Sequence, residues 1–400
     1  AKRKKRNNPL RKFSILKIEK IDLSQKLMSP HSHQQLQNWY NSINRHRLIW
    51  LLIPILFLTA NLHSADEPSA IEAIAKDRVD VAVERATRYL MSRQDEKGAI
   101  SDRSNETTMT SLAIMAMAAT GNQPIDPTPQ GKSMRRAIEF VTRQDRQDEN
   151  GYFGNRDGSR MYGHGIISLM LSEMLGMGLN DKQDRITRER CQKAIDLILR
   201  SQKHPKNWQH KGGWRYTPDS KDADLSVTVW QLMALRSAKN SGLKVPSTAI
   251  KDAVEYLKRS YRSNLDAKGN PIDKKSGFAY QPGGGPEFTM CAAGLLAMQV
   301  CGEYESPFVH GAADWLLEHP PAKHNKFFFY GTYYYSQGMY QRKGEHAKIA
   351  RKQVEEVLLN IQSKDGSWQG TGQEGGAGKI YSTSMAVLAL AVKYHYLPIY

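Results

Sequence analysis

One theme recurs from residue 79 onward: an amphipathic helix, a turn rich in glycine and aromatic residues, then an almost wholly apolar helix. Val79, Ala82, Val83, Ala86 and Leu90 recur at i, i+3, i+4, i+7 and i+11, as do Ile250, Ala253, Val254, Leu257 and Tyr261, a spacing that buries one helical face. Their partners, such as Met109–Ala119, Ser226–Leu235, Thr289–Val300 and Ser382–Val392, are apolar on most sides and must be buried all round. A closed ring satisfies both demands: inner helices touch each other and the outer set, while outer helices keep a polar face in water. Internal repetition therefore decides the fold.

Six hairpins can be counted, with outer and inner helices expected near 79–93 and 106–120, 132–146 and 161–177, 185–202 and 224–241, 247–263 and 287–301, 307–318 and 331–343, and 346–363 and 380–394. The expected class is all-α, an α/α toroid of twelve helices over residues 75–398. The turns share a pattern, Gln-x-x-x-Gly-x-aromatic, in Gln362–Trp368 and Gln147–Phe153, with Gln94–Ile100 keeping the glutamine and glycine. In it the glutamine is expected to bond free backbone ends of a neighbouring helix, and the glycine to supply a positive-φ stop. Gly212-Gly213-Trp214 and Gly277-Phe278 are degenerate forms, and the fifth hairpin substitutes Phe327–Tyr330.

These turns, the inner-helix beginnings and a repeat of roughly fifty residues resemble the prenyltransferase and squalene-oxidase repeat of the terpenoid-cyclase and protein-prenyltransferase toroids. The resemblance implies the toroid and leaves activity open. Asp222-Ala-Asp224-Leu225-Ser226 resembles the Asp-x-Asp-Asp-Thr acid motif of the squalene–hopene cyclases, but Leu225 stands where that motif has its third aspartate. The protein prenyltransferases imply a zinc site of Asp, Cys and His; no Asp-x-Cys pair matches it, and neither metal nor cofactor is expected. Cys301-Gly-Glu303-Tyr304 resembles the thioester segment of complement-like toroids but lacks the side-chain amide that would condense with the thiol.

Aligning the inner helices on Ala116, Ala234, Ala297 and Ala389 puts Glu106, Asp224, Glu287 and Lys379 at equivalent starts, at one end of the ring. Acids at such positions suit helix capping as well as catalysis. The catalytic candidates are Asp222, Asp224, Glu287 and His164; Glu106, Trp230, Tyr330, Tyr334 and Tyr381 are candidates for lining a central apolar pocket. His164 near a helix start is equally a packed residue, although its ordinary pKa suits acid–base work. Three functions stay open. The first is a binding or scaffold module, the second a terpenoid cyclase using Asp222 and Asp224, and the third a polysaccharide lyase or hydrolase. The corresponding ligands are an isoprenoid or a saccharide.

The net charge of +17 suggests nucleic acid, yet residues 1–65 hold 12 of the 57 Lys/Arg and two of the 40 acids, leaving 45 basic against 38 acidic side chains. That mild excess, with no base-stacking motif, argues against nucleic-acid binding. Residues 1–47 read as a basic N-terminal extension, with translation starting further in, for example at Met28, as an alternative. Leu48–Ala60 is an apolar run preceded by Arg45 and Arg47 and followed by small residues. The segment 48–65 therefore reads as an export signal, or as an anchor that would associate the chain with a membrane through residues 48–60. A periplasmic or secreted protein follows. The three cysteines, Cys191, Cys291 and Cys301, lie far apart in apolar helical context and imply no disulfide framework.

Overall fold

The computed structural model describes residues 76–178 and 180–394. They belong to one compact unit, Ala75–Tyr400. The basic extension, the apolar run at 48–60 and the junction after Ala65 lie outside the described residues. Among the described residues no helix is long and apolar enough to cross a membrane.

The chain is an all-α toroid, with no strand among the described residues beyond isolated bridges. Its outer helices are α1 (Arg78–Ser92), α3 (Pro129–Val141), α5 (Asp181–Gln202), α7 (Ser247–Ser260), α9 (Pro307–Glu318) and α11 (Gly344–Leu359). They alternate with the inner helices α2 (Glu106–Ala119), α4 (Arg160–Glu173), α6 (Leu225–Asn240), α8 (Phe288–Val300), α10 (Phe328–Gln341) and α12 (Lys379–Leu390). Each inner helix packs on the next, and α12 packs back on α2 to close the ring; each outer helix also leans on the inner helix of the preceding hairpin.

Burial follows the two sequence classes. Every residue of α8 is buried, and every residue of α2 except Glu106, whereas α1 buries only the stripe that includes Val79, Ala82, Val83, Ala86 and Leu90. Burying each Leu, Val, Ile or Phe contributes about 1.5–3 kcal/mol, so this stripe is what holds an outer helix to the ring.

The turns explain how one hairpin finds the next. The Gln94 amide donates to the carbonyl of Gly98 (3.1 Å) in its own turn and to that of Ser133 (2.9 Å) in α3. Gln147 does the same with Gly151 and Arg190 (2.9 and 3.0 Å), Gln202 with Gly212 and Ala249 (2.9 and 2.8 Å), and Gln362 with Gly366 and Ala82 (2.9 and 2.8 Å). The expectation of free helix ends is thus corrected: the acceptors are carbonyls within the next outer helix. Gln202 reveals that the third hairpin carries the full device, with a longer insertion between glutamine and glycine.

The turn glycine is required twice over. Gly366 has φ +89°, and a Cβ there would sit 2.5 Å from the Arg85 carbonyl oxygen, three residues beyond the carbonyl that Gln362 engages. Gly98 repeats this against Arg136 at 2.4 Å. Because Gln362 and Gly366 engage α1, the sixth turn is also the seam of the ring. Lys393 adds ion pairs there to Asp77 (2.8 Å) and Asp80 (2.7 Å).

The fifth hairpin departs from expectation. Helix α10 begins at Phe328, so the phenylalanine run that read as a turn forms its first turn, and Phe327 takes the left-handed conformation at φ 56°. A carboxylate from the loop of the following hairpin receives the free amides at that early start, as described below.

Candidate functional site at the inner-helix N-termini

All inner helices start at one end of the ring, where four backbone N–H groups per helix need acceptors. Loops of the following hairpin supply many of them. The Tyr216 carbonyl accepts Met161 N–H at the start of α4 (3.0 Å), and the Tyr280 carbonyl accepts Leu225 N–H of α6 (2.9 Å). Asp157 accepts from Thr107 and Thr108 N–H (2.7 and 3.2 Å) at α2, and Asp102 from Lys379 N–H (2.7 Å) at α12. Glu374 accepts from Phe329 and Tyr330 N–H (both 3.0 Å) at α10, and from the Tyr381 hydroxyl (3.3 Å).

At this end lies a cavity of about 550 Å³, walled by Tyr162, Tyr216, Tyr280, Tyr330 and Tyr381, with Glu287, Glu374 and Lys326 among its polar groups. Tyr330 donates to the Ser226 carbonyl (3.0 Å), and the hydroxyls of Tyr216 and Tyr280 lie 2.6 Å apart. Below Tyr330 the ring centre is filled with aromatics: Trp230 lies 6.1 Å from Tyr330 and 5.7 Å from Tyr334, and stacks with Tyr333 at an interplanar angle of 10°. These rings pack against one another beneath Tyr330, and the cavity above them is lined by both apolar and polar groups.

Of the candidates, Glu287, Tyr330 and Tyr381 line the cavity. Trp230 and Tyr334 form the packed floor. Glu106, half exposed, pairs with Arg146 (3.2 Å) and is absent from the cavity wall. Glu287 is exposed and precedes α8 without capping it through its side chain.

Asp224 is fully buried and caps its own helix, accepting from Val227 N–H (2.9 Å) and the Ser226 hydroxyl (2.6 Å). Its other oxygen lies 3.6 Å from Arg215 Nε, which is also 3.5 Å from a carboxylate oxygen of the half-exposed Asp222. A guanidinium shared by both carboxylates replaces the direct acid–acid contact that would hold one proton. Burial raises the Asp224 carboxyl above the usual range, opposed by Ser226, the Val227 amide and Arg215. Burial likewise raises Glu374, opposed by the amides of α10 and the Tyr381 hydroxyl.

His164 is buried on the packed side of α4. Its Nδ1 accepts Phe153 N–H (3.3 Å) and its Nε2 lies 3.1 Å from the Ala194 carbonyl, so burial pushes it down to about 4. Thr110, Thr228 and Thr383 hold the same station, accepting the amides of Ile100 (2.9 Å), Trp214 (3.0 Å) and Trp368 (3.0 Å). Cys191 and Cys291 are buried free thiols and Cys301 is partly buried; burial pushes Cys291 up to about 12.

Sequence reasoning missed Tyr216, Tyr280, Arg215 and Glu374. The two tyrosines carried a signal, each lying two residues after a turn aromatic, Trp214 and Phe278. Glu374 sits in a glycine-rich stretch, and nothing local marks it as the cap of a different hairpin's helix.

No family model matches the sequence, and no curated protein matches it. Solved structures do. The alpha-1,6-mannanase of Salegentibacter sp. HEL1_6 superposes with a TM-score of 0.54 at 10% identity, over 80% of this chain and 100% of the other. The cellobiose 2-epimerase of Spirochaeta thermophila gives 0.54 at 13% identity, over 79% and 98%. The type II terpene cyclase MstE from Scytonema gives 0.50 at 15% identity, over 80% and 99%. At such identities the likeness speaks for the fold alone, and it identifies the chain as an α/α toroid.

Proposed function

We propose that this chain is a binding toroid whose tyrosine-walled cavity takes a sugar-sized polar ring. The observation that carries the reading is the wall itself: five tyrosines around about 550 Å³, with hydroxyls and carboxylates interleaved. Such a surface offers flat apolar faces together with directional hydrogen bonds, as a saccharide ring requires. Neighbours of this shape act on saccharides or on terpenes by name, so the site must discriminate between them.

The site disfavours isoprenoid protonation. A cyclase acid must be held neutral and face the alkene. Asp224 instead caps a helix and faces Arg215, and it meets the cavity only through the hydroxyl of Tyr280 in its wall.

Isothermal titration against a panel of neutral oligosaccharides tests the proposal. Binding is expected for at least one member, weakened by Tyr280→Phe and unchanged by Asp224→Asn. Conversion of squalene or a shorter polyprenyl substrate, abolished by Asp224→Asn, would overturn it.

A second reading, saccharide hydrolysis or lysis, is favoured by Glu287 alone, an acid on the cavity wall with no capping duty. It predicts release of new reducing ends that Glu287→Gln stops. Export through the segment 48–65 belongs to the same proposal; N-terminal sequencing of the mature protein from a fractionated cell tests it.

A further inference from the structure

A second concavity, of about 710 Å³, lies beyond the loop that carries Tyr280 and Glu287, with Pro282 and Gly283 of that loop in its wall. Its centre is Trp208, 68% exposed, the most exposed of the large hydrophobic side chains among the described residues. An indole left in water at this level is unusual for a residue that normally buries most of its surface.

The ring is nonetheless held in place. The Arg259 guanidinium lies 5.2 Å from its centroid, and Arg259 is itself fixed by the backbone carbonyls of Gln209 (3.4 Å) and Lys211. Trp208 therefore presents a supported platform.

The wall around it is basic. Among the described residues no carboxylate pairs with Arg259 or with Arg262, whose guanidinium donates to the Gly283 carbonyl (3.3 Å) at the edge of the groove. The groove wall contains Lys258 and Arg259 and no acid. Lys258 holds Glu255 (3.0 Å), and Glu255 and Asp252 act on Arg259 only from beyond ion-pair distance, so the arginines keep their guanidinium groups free of a direct carboxylate contact. Asn207, Gln209 and Asn264 place amides around the same indole.

We propose that this groove binds a sugar ring carrying an anionic group, a carboxylate or a sulfate ester, as a unit of an acidic oligosaccharide. The flat indole face matches the apolar face of a pyranose, the amides match its hydroxyls, and an arginine with no carboxylate in direct ion-pair contact supplies the matching charge. A single-stranded nucleic acid would use successive aromatics along a basic track, and Trp208 is the only aromatic side chain of this wall exposed in this way. The site is separate from the tyrosine cavity and does not depend on what that cavity holds.

The test is titration calorimetry on the full chain with four probes of similar length: an oligogalacturonate, a sulfated galactan oligosaccharide, a neutral cello-oligosaccharide and a single-stranded oligonucleotide. At least one acidic saccharide is expected to bind, to weaken with added salt, and to lose about tenfold in affinity with Trp208→Ala. Comparison of the first two probes tells carboxylate from sulfate. Acrylamide quenching supplies a second readout: the bound acidic saccharide shields a tryptophan in the wild type and none in Trp208→Ala.

Glu287→Gln, which alters only the tyrosine cavity, is expected to leave this binding unchanged. Trp208→Ala removes an exposed side chain and is expected to retain the wild-type melting transition. Binding of neither acidic probe, equal binding by Trp208→Ala, or tighter Trp208-dependent binding of the cello-oligosaccharide or the oligonucleotide would each overturn the proposal.

Discussion

The turn of the sixth hairpin and the connection of the third begin from the same glutamine device and end differently, and the connection of the fourth lacks that glutamine. In the sixth, Gln362, Gly366 and Trp368 lie within seven consecutive positions, and their bonds to α1, α11 and α12 close the ring. In the third, the chain between Gln202 and Gly212 swings outward and leaves Trp208 in solvent. In the fourth, the segment after Tyr261 runs to Glu287 before the inner helix starts, contributing Leu265 and Gly283 to the groove and Tyr280 to the cavity. The walls of the cavity and of the groove come from the lengthened connections, while the anchoring bonds to the next hairpin are kept in the third. The scaffold tolerates this because loop-closure entropy grows slowly with length.

Glycines separate the two roles most sharply. Gly366 and Gly283 share nearly the same φ, +89° and +87°, but a Cβ on the first meets the Arg85 carbonyl at 2.5 Å and a Cβ on the second meets nothing within 4 Å. Gly366→Ala combines left-handed strain, about 1–2 kcal/mol, with overpacking of about 1–3 kcal/mol. Gly283→Ala carries only the strain. Urea unfolding of both variants is expected to show the larger loss at Gly366; equal losses would break the contrast between seam and cavity loop.

The next effect in size concerns Asp222 and Asp224, two residues apart in the third connection. Asp224→Ala removes a buried cap and leaves the Val227 amide and the Ser226 hydroxyl without their acceptor, a loss of about 2–3 kcal/mol. Asp222→Ala, at a half-exposed ion pair of 3.5 Å, is expected to cost less than about 1 kcal/mol. Chemical denaturation curves measure both. Comparable losses would show that the two carboxylates act as one unit, which is the arrangement an acid pair needs.

The same contrasts separate what the amino-acid sequence displays from what only the fold brings together. The ring was legible because burial imposes it: a helix apolar all round, as in α8, has no other place, and a striped helix such as α1 must lie outside it. The site was legible only where function coincides with local pattern. Glu287 follows from inner-helix register and Tyr330 and Tyr381 from their place at inner-helix starts, whereas Tyr216 and Tyr280 were missed although each stands two residues behind a turn aromatic. Glu374 and Arg215 were not legible, because one caps a helix begun more than forty residues earlier and the other faces two acids through the fold. His164 shows the opposite hazard: titratable in sequence, it occupies the station that Thr110, Thr228 and Thr383 hold elsewhere.

The smallest effect is one of pH, and it again sets the sixth turn against the third connection. In the sixth, the Ser367 hydroxyl and amide and Lys379 hold Asp365 down to about 2, from an ordinary 3.8. A depressed carboxylate contributes stability that is present above the unfolded value and is lost as pH falls from about 4 toward 2. Asp224 is raised by burial, so its native form holds the proton more firmly than the unfolded chain; stability falls as pH rises above 3.8 through its raised native value. The two acids therefore tilt the stability curve in opposite directions over adjoining windows. Because Asp365 is largely exposed, its share is screened by solvent and salt. Denaturant unfolding between pH 5 and pH 3 is expected to show Asp365→Asn losing less stability on acidification than the wild type, and Asp224→Asn losing more. Identical slopes for the two variants would mean that the seam and the cavity loop do not differ in how they hold charge.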